Sequence, residues 1–411
     1  MTYGLLGEHL SHSYSKLIHE KLDLYAYDLF PMPPDQIGGF LERREFSGLN
    51  VTIPYKTVVA PYCDVVDAEA QAIGSINTLY FKDGKLHGAN TDYHGMSYAA
   101  KRAGISFRGK KVLVLGGGGT SRTAQALITQ AGASEIVVAE RHPKAGNIHR
   151  SVPLDALPGD AEIIVNTTPV GTFPNNLESL INLADFPRCE GVLDVIYNPF
   201  STILVMEAKQ RGIPCTGGLP MLVAQATLAA ELFTGRSDLQ KENERIILEL
   251  EQELGNVVLI GMPGSGKSSL GKKLAKKLDK PFVDLDKEII RVAGKSIPDI
   301  FREDGESRFR EMEAQMAMEF GKRNGLVIAT GGGILLNPMN ALALKQNGKM
   351  IFLDRPVHQL ATGGRPLSTG ETALLEMEKA RRPLYEKYQD FTVVNEGSFV
   401  GVLMEMVCLL K

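Results

Sequence analysis

Tryptophan is missing from these 411 residues, and cysteine is scarce, with four in all. Cys63, Cys189, Cys215 and Cys408 lie far apart and form neither a CxxC pair nor a zinc-ligand spacing, which excludes a disulfide scaffold and a structural zinc site. Long apolar runs are also lacking. The best candidate, Met221 to Phe233, is too short to span a bilayer and is broken by Gln225 and Glu231. The opening stretch has Glu8 where an export signal needs unbroken apolar residues, so the thiols are expected to be reduced in a cytoplasmic protein. Nor is there a surplus of charge: 45 basic against 48 acidic residues give a net charge of -3. Without a basic field to neutralise phosphates along a strand, nucleic acid is not an expected partner, and neither is a membrane.

What is present is ordinary globular composition, 44% hydrophobic and 23% charged, over a length that suits two or three domains. Short β-branched runs alternate with helical patterns, the mark of an α/β protein with parallel sheets and crossover helices. Lys111–Leu115, Glu135–Ala139, Glu162–Val165 and Val192–Val195 read as one series of buried strands. A second series runs through Val257–Ile260, Phe282–Leu285, Leu326–Ala329 and Met350–Leu353. Between them lies a charged stretch with Ile247, Leu250 and Leu254 at helical spacing, opened by a capping-box spacing at Ser237 and Gln240 and followed by Gly255. It reads as a helical spacer that divides the chain.

In the second half, Gly261-Met-Pro-Gly264-Ser265-Gly266-Lys267-Ser268 fits GxxxxGK[ST], directly after a strand and before a helical pattern from Ser269. Glycines there let backbone N–H groups wrap phosphates at a helix N-terminus. Lys267 reaches the β- and γ-phosphates and the Ser268 hydroxyl ligates magnesium, which implies a nucleotide phosphate chain and Mg2+. Asp284 and Asp286 close the next strand, where alternation places both carboxylates on one sheet edge. Downstream come Arg310 within Phe301–Glu313, Thr330-Gly331-Gly332-Gly333, Arg365-Pro-Leu in a glycine-bearing loop, and Arg381-Arg382-Pro383-Leu384-Tyr385. Arginine clamps carboxylates and transferring phosphoryl groups through paired N–H donors.

This set closely resembles shikimate kinase over residues 256–411. The resemblance implies a P-loop domain in which Asp286 positions the substrate 3-hydroxyl and accepts its proton. It makes Arg310 and Arg381 the grip on the substrate carboxylate, Gly332 and its neighbours a wall against the ring, and Arg365 a lid residue on the transferring phosphoryl. By the same resemblance Asp284 holds magnesium through water, and Gly264, Ser265, Gly266, Lys267, Ser268, Ser269 and Arg365 bind ATP.

In the first half, Leu115-Gly116-Gly117-Gly118-Gly119-Thr120-Ser121 is a strand running into a glycine turn and a helix. It satisfies the dinucleotide fingerprint if Ser121 stands for the last small residue. About 24 residues on from Gly116, where ribose is discriminated, stand Glu140, Arg141 and Lys144. Glu140 favours a free 2′-hydroxyl and hence NAD, whereas Arg141 and Lys144 favour a 2′-phosphate and hence NADP. Further upstream are Ser11-His-Ser13-Tyr-Ser15, which reads as a polar turn capping a helix that begins near Lys16, then Asn50-Val-Thr52-Ile-Pro54-Tyr-Lys56, Gly74-Ser-Ile-Asn77 and Gly88-Ala-Asn90-Thr91-Asp92.

Taken in order these segments match shikimate dehydrogenase over roughly residues 1–235, with later matches at Asn166-Thr167-Thr168, Asp194 to Pro199 and Gly217 to Gln225. The resemblance implies a substrate domain formed by 1–101 with 216–236, an inserted Rossmann domain at 102–215, a helical linker at 237–255 and the kinase-like domain at 256–411. It places Ser13, Ser15, Thr52, Asn77, Asp92, Tyr197 and Gln225 around the substrate, with Lys56 and Asp92 as the catalytic pair. The dinucleotide is expected against Gly116, Gly118, Gly119, Thr120, Ser121, Glu140, Arg141, Lys144, Thr167 and Gly218. Five positions depart from the family pattern: Lys16 stands for a proline, Gly117 for an alanine, Glu140 for an asparagine, and Pro169 and Thr172 alter the third Rossmann loop. The Gly117 change reads as harmless. Together the halves read as a bifunctional enzyme that reduces 3-dehydroshikimate with NADPH, or with NADH by virtue of Glu140, and then phosphorylates shikimate. Two alternatives are a metabolite sensor with one dead half and a dehydrogenase for quinate or an analogue. Lys56, Asp92, Lys267 and Asp286 are all present, against the first. Monomer and homodimer both remain open.

Overall fold

The computed structural model describes residues 2–10, 13–143, 149–360 and 371–410. Three sheets organise them. The first runs Tyr27–Pro31, Tyr3–Gly7, Gly48–Val51, Thr78–Lys82, Lys85–Ala89 and Val65–Val66, with the Thr78–Lys82 strand antiparallel to both neighbours. The second is wholly parallel, in the order Cys215–Thr216, Gly191–Asp194, Ile163–Asn166, Lys111–Leu115, Glu135–Glu140 and Arg150–Pro153. Its order reverses at Lys111–Leu115, the first strand in sequence, so the glycine turn that follows sits at the topological switch point where such sheets bind ligands. The third, also parallel, runs Phe282–Asp284, Val327–Ala329, Asn256–Ile260, Gly348–Asp354 and Phe391–Val394.

All eight strands expected from the sequence are present, within one to two residues. The N-terminal sheet and the short strands at Arg150–Pro153, Cys215–Thr216 and Phe391–Val394 carry no run long enough to show by pattern. Alternation across the third sheet explains its burial on both faces. Val258, Ile260, Ile328, Met350 and Phe352 pack on one side, while Val257, Leu259, Val327, Ile351 and Leu353 meet Leu270, Leu274, Val402 and Met406 on the other. Each such side chain contributes about 1.5–3 kcal/mol on burial.

Two compact units result: residues 1–172 with 178–248, and 173–177 with 249–411. The division falls inside the helix Asn243–Leu254, which a 3-10 turn at Leu239–Glu242 precedes. The expected capping box does not form, because Gln240 Nε2 donates to Glu231 at 2.8 Å and the Leu239 amide donates to the same carboxylate at 2.8 Å. Along this stretch Leu239, Ile246, Ile247 and Leu250 are buried. The helix after the serine cluster begins at Ser15, not Lys16, and the Ser13 hydroxyl accepts from the Ser15 amide at 3.2 Å.

In the first unit the helices Thr91–Arg102 and Leu219–Thr234 cross closely. A side chain at Gly95 would strike the Met221 carbonyl, so glycine sets the approach. Met96, Ala99 and Ala100 pack into the same core as Val112, Val114, Ile163 and Val165 of the parallel sheet. That core fixes the helix whose first turn carries Asp92. Among the described residues no helix is long and apolar enough to cross a membrane.

In the second unit Asn256 ties strand to loop, accepting from the Leu326 amide at 2.8 Å and donating to the Arg323 carbonyl at 2.6 Å while itself buried. Asn256→Ala leaves both backbone groups unpaired, so denaturant unfolding of this unit should show a loss of about 1–3 kcal/mol.

Candidate active sites

Lys56 lies in a 3-10 turn, Tyr55–Thr57, just past the strand Gly48–Val51. Asp92 sits in the first turn of Thr91–Arg102, a helix opened by Asn90, whose side chain accepts from the Tyr93 amide at 3.1 Å. The two meet with Lys56 Nζ 2.6 Å from Asp92 Oδ2, and their side chains are only 17% and 10% exposed. So little water screens the pair weakly and fixes the ammonium in place.

Around it is an amide and hydroxyl cluster. Asn77 Oδ1 accepts from the Thr91 amide at 2.7 Å, and Asn77 Nδ2 donates to Thr91 Oγ1 at 3.0 Å and Gln225 Oε1 at 3.4 Å. Gln225 is held by the Leu222 carbonyl at 2.9 Å. The structure thus brings Lys56 to Asp92, and Asn77 and Gln225 to Thr91, the residue before Asp92 in the same helical turn. Ser13, half-buried Thr52 and Tyr197 are not hydrogen-bonded to this cluster among the described residues; Tyr197 packs its ring 5.1 Å from Tyr14, and Ser15 is buried at its helix start.

Sequence reading passed over what lies beneath. Asn50 Nδ2 donates to Thr78 Oγ1 at 3.3 Å, while its Oδ1 accepts from Tyr27 at 2.8 Å and faces His19 Nε2 at 3.1 Å. His19 stacks on Tyr27 with ring centroids 3.9 Å apart, and its other nitrogen meets the Tyr25 hydroxyl at 2.8 Å. Full burial drives its pKa down to about 3, partly opposed by the bond to Asn50. The imidazole is therefore neutral and structural, a prop under the Asn77 cluster. A histidine four residues into a helical pattern gave no sign of this, because its partners come from two other segments, at Tyr25 to Tyr27 and at Asn50.

The glycine turn has the shape a dinucleotide needs. Gly116 has φ +109°, and a Cβ there would press on Thr167 and Thr168. Gly118 opens the helix Gly119–Gln130 with no side-chain cap, and around it the space for a Cβ is open. The buried Ser75 hydroxyl, 3.7 Å from where a Gly119 Cβ would stand, has no partner among the described residues. An uncapped helix start beside an orphaned hydroxyl fits a pyrophosphate. Ser121 is fully buried and accepts from Gln125 at 3.0 Å, so it supplies close helix-to-sheet packing. Thr120 lies half-buried in the same first turn, the Thr167 hydroxyl donates to the Leu115 carbonyl at 2.7 Å, and Gly218 ends against Val195, where a Cβ would collide with its carbonyl. Asp194, fully buried, has its carboxyl pushed up to about 6, although Thr202, Ile196 and Asn166 all donate to it.

The second site gathers on adjacent strands of the third sheet. The loop after Asn256–Ile260 has Gly261, Gly264 and Gly266 at φ +138°, +84° and +97°, conformations that side chains resist. Lys267 opens the helix Lys267–Leu278, and its Nζ donates to the Gly261 and Met262 carbonyls at 2.8 Å each. The buried Ser265 hydroxyl has no partner among the described residues, while Ser268 and Ser269 are exposed. Uncapped amides, an inturned ammonium and an orphaned hydroxyl fit a phosphate chain.

Beside it the expected geometry of Asp284 and Asp286 needs correction. The strand stops at Asp284, and Asp286 stands in the first turn of the helix Leu285–Ala293, so strand alternation does not relate them. Asp286 reaches instead to Gly331, where a Cβ would come within 2.8 Å of both its carboxylate and that of Glu313. Glu313 is the residue that sequence reading left unassigned. Arg310 NH1 donates to it at 2.8 Å, burial pushes its carboxyl up, and Arg310 pulls it back. Gly333 lies under the Arg310 guanidinium, Gly332 packs on Pro263, and the Gly332 carbonyl accepts from Tyr385 at 2.5 Å. Arg381 is buried nearby. Arg382, its neighbour, is spoken for by Asp354 at 2.6 and 3.0 Å and by Glu378. Lys144 and Arg365 lie outside the described residues, and no cluster of three or more His, Cys, Asp or Glu able to hold a metal occurs among those described.

Because folded His19 refuses a proton that the unfolded chain takes up below 6.5, stability should fall as pH drops from 6.5 toward 3. Urea denaturation at pH 5 and pH 7 should show the deficit of His19→Gln shrinking at the lower pH.

Residues 5–79 match the family model of the shikimate dehydrogenase substrate binding domain, and residues 263–407 match that of shikimate kinase. A shikimate dehydrogenase (NADP(+)) of Clostridium beijerinckii is 34% identical over 247 residues, 56% of this chain and 91% of its own. That of Methanopyrus kandleri is 36% identical over 259 residues, covering 56% and 89%. Among solved structures, a chorismate mutase/shikimate 5-dehydrogenase fusion from Clostridium acetobutylicum aligns with a TM-score of 0.57 at 30% identity, over 61% of this chain and 97% of that one. The Thermus thermophilus shikimate 5-dehydrogenase, solved in complex with NADP(H) and shikimate, aligns with a TM-score of 0.53 at 34% identity, over 60% and 100%. The chain belongs to the shikimate dehydrogenase family and carries a shikimate kinase domain behind it, so it is a fusion of the two.

Proposed function

We propose that this chain catalyses two consecutive reactions on one alicyclic acid: reduction of 3-dehydroshikimate to shikimate, then phosphorylation of shikimate at its 3-hydroxyl. The observation that carries the first is the shielded contact of 2.6 Å between Lys56 and Asp92 beside an amide cluster. When bound, the reduced nicotinamide dinucleotide, NADPH in the first instance, supplies hydride to the ring ketone. The carbonyl oxygen then gains charge, and Lys56 is the donor within reach of it. Asp92 keeps the ammonium aimed and accepts from a neighbouring ring hydroxyl, while Asn77 and Gln225 fix the ring by its other hydroxyls. Ser13, Ser15, Thr52 and Tyr197 complete the enclosure in this reading.

For the second reaction, Lys267 and the amides of residues 264–269 would hold the phosphates of ATP, and Ser268 and Asp284 would hold the magnesium that neutralises them. Arg310, braced by Glu313, and Arg381 take the substrate carboxylate. Asp286 orients the 3-hydroxyl and accepts its proton as the oxygen attacks the γ-phosphorus of ATP, the bond to the β-phosphate breaks and ADP leaves, and Arg365 meets the transferring phosphoryl. Positioning and charge stabilisation account for such catalysis. The dehydrogenase comprises residues 1–101 with 216–236 and the inserted 102–215, with the kinase from 256.

Lys56→Ala should lower reduction of 3-dehydroshikimate by about 10²–10⁴-fold and leave ATP-dependent phosphorylation of shikimate intact, and Lys267→Ala should do the reverse. Purified chain given 3-dehydroshikimate, reductant, ATP and magnesium decides this by product chromatography; loss of both activities with either change refutes independent sites. Glu313→Gln should raise the KM for shikimate more than it lowers kcat, since Arg310 loses its brace.

A further inference from the structure

Two of the departures from the family pattern prove to be one feature. Glu140 ends the strand Glu135–Glu140 and is half-buried beside the glycine turn. Its Oε1 accepts from the Ser151 hydroxyl at 2.7 Å, and Ser151 belongs to the neighbouring strand Arg150–Pro153. Its Oε2 lies over Gly117, where the Cβ of an alanine would collide with it. The Gly117 backbone is not left-handed, so the missing side chain supplies room and not conformation. The change at Gly117 is therefore not the harmless one that sequence suggests; it seats the carboxylate. Arg141, the next residue, is exposed.

We propose, resting on the dinucleotide reading above, that the Gly117–Glu140–Ser151 set makes the dehydrogenase a dual-cofactor enzyme. A carboxylate fixed at the end of the second Rossmann strand is an acceptor for the adenosine ribose 2′-hydroxyl, the group that NADH offers. The same carboxylate repels a 2′-phosphate, which Arg141 attracts from the solvent side. The two opposed residues, adjacent in sequence, balance the two cofactors. Glu140 rewards the hydroxyl and Arg141 rewards the phosphate.

The test is calorimetric binding of NAD+, NADP+ and adenosine 2′,5′-bisphosphate to the full chain, together with kcat/KM for NADH and NADPH. The native enzyme should use both within about tenfold. Glu140→Asn should tighten NADP+ and the bisphosphate by about tenfold or more and weaken NAD+. Gly117→Ala, which unseats the carboxylate, should move the ratio the same way, and Glu140→Asn should then add little to it. Arg141→Ala should move it toward NAD+. A native preference for NADPH above about a hundredfold, or an unchanged binding ratio in Glu140→Asn, overturns the proposal. Kinase activity of each variant reports that the chain is folded. Failure to oxidise shikimate with either cofactor, while both still bind, counts against the reaction assigned above and not against this selectivity.

Discussion

A buried amide must satisfy both its ends, and in the first unit that requirement falls on Asn77. Its oxygen takes the amide at the start of the helix Thr91–Arg102, and its nitrogen turns to Thr91 and Gln225. The strand side of the sheet and the two crossing helices are thereby set against one another at a single side chain. The position of Asp92 follows from it, and with it the reach of Lys56. The same demand propagates downward through Thr78 and Asn50 to the neutral His19, so a stacked imidazole beneath the cluster helps hold Asn77 in place. Buried polar networks of this sort specify one arrangement because a half-satisfied alternative is costly.

The second unit solves its positioning problem with absent side chains. Gly331 and Gly333 leave space that the Asp286, Glu313 and Arg310 heads fill, and Gly332 presses on Pro263 of the phosphate loop. An acid, an arginine and its brace are thus packed against backbone from one glycine run. The neighbouring strand delivers the phosphate loop alongside.

Much of this was legible in the linear sequence, for identifiable reasons. Parallel sheets buried on both faces advertise their strands as apolar runs, and a phosphate loop needs a fixed glycine spacing, so Gly261 to Ser268 could be read directly. Lys56, Asp92, Asn77 and Gln225 were legible through family resemblance alone, since nothing local distinguishes a turn lysine from a solvated one. His19, Asn50, Ser75 and Glu313 were not, because their roles arise from partners that only folding brings near. The strand-alternation argument for Asp284 and Asp286 failed where a helix started one residue earlier than a pattern of carboxylates can reveal. The capping-box reading at Ser237 failed to a competitor, the Glu231 carboxylate, that took the same donors.

The inturned ammonium of Lys267 has an energetic corollary. Its bonds to the carbonyls of Gly261 and Met262 have to be given up when it turns to an incoming anion. A ligand that offers one phosphate oxygen exchanges contacts at near parity, whereas a chain of phosphates that also fills the glycine amides returns a surplus. Whatever Lys267 turns to must therefore return more than these two carbonyl contacts.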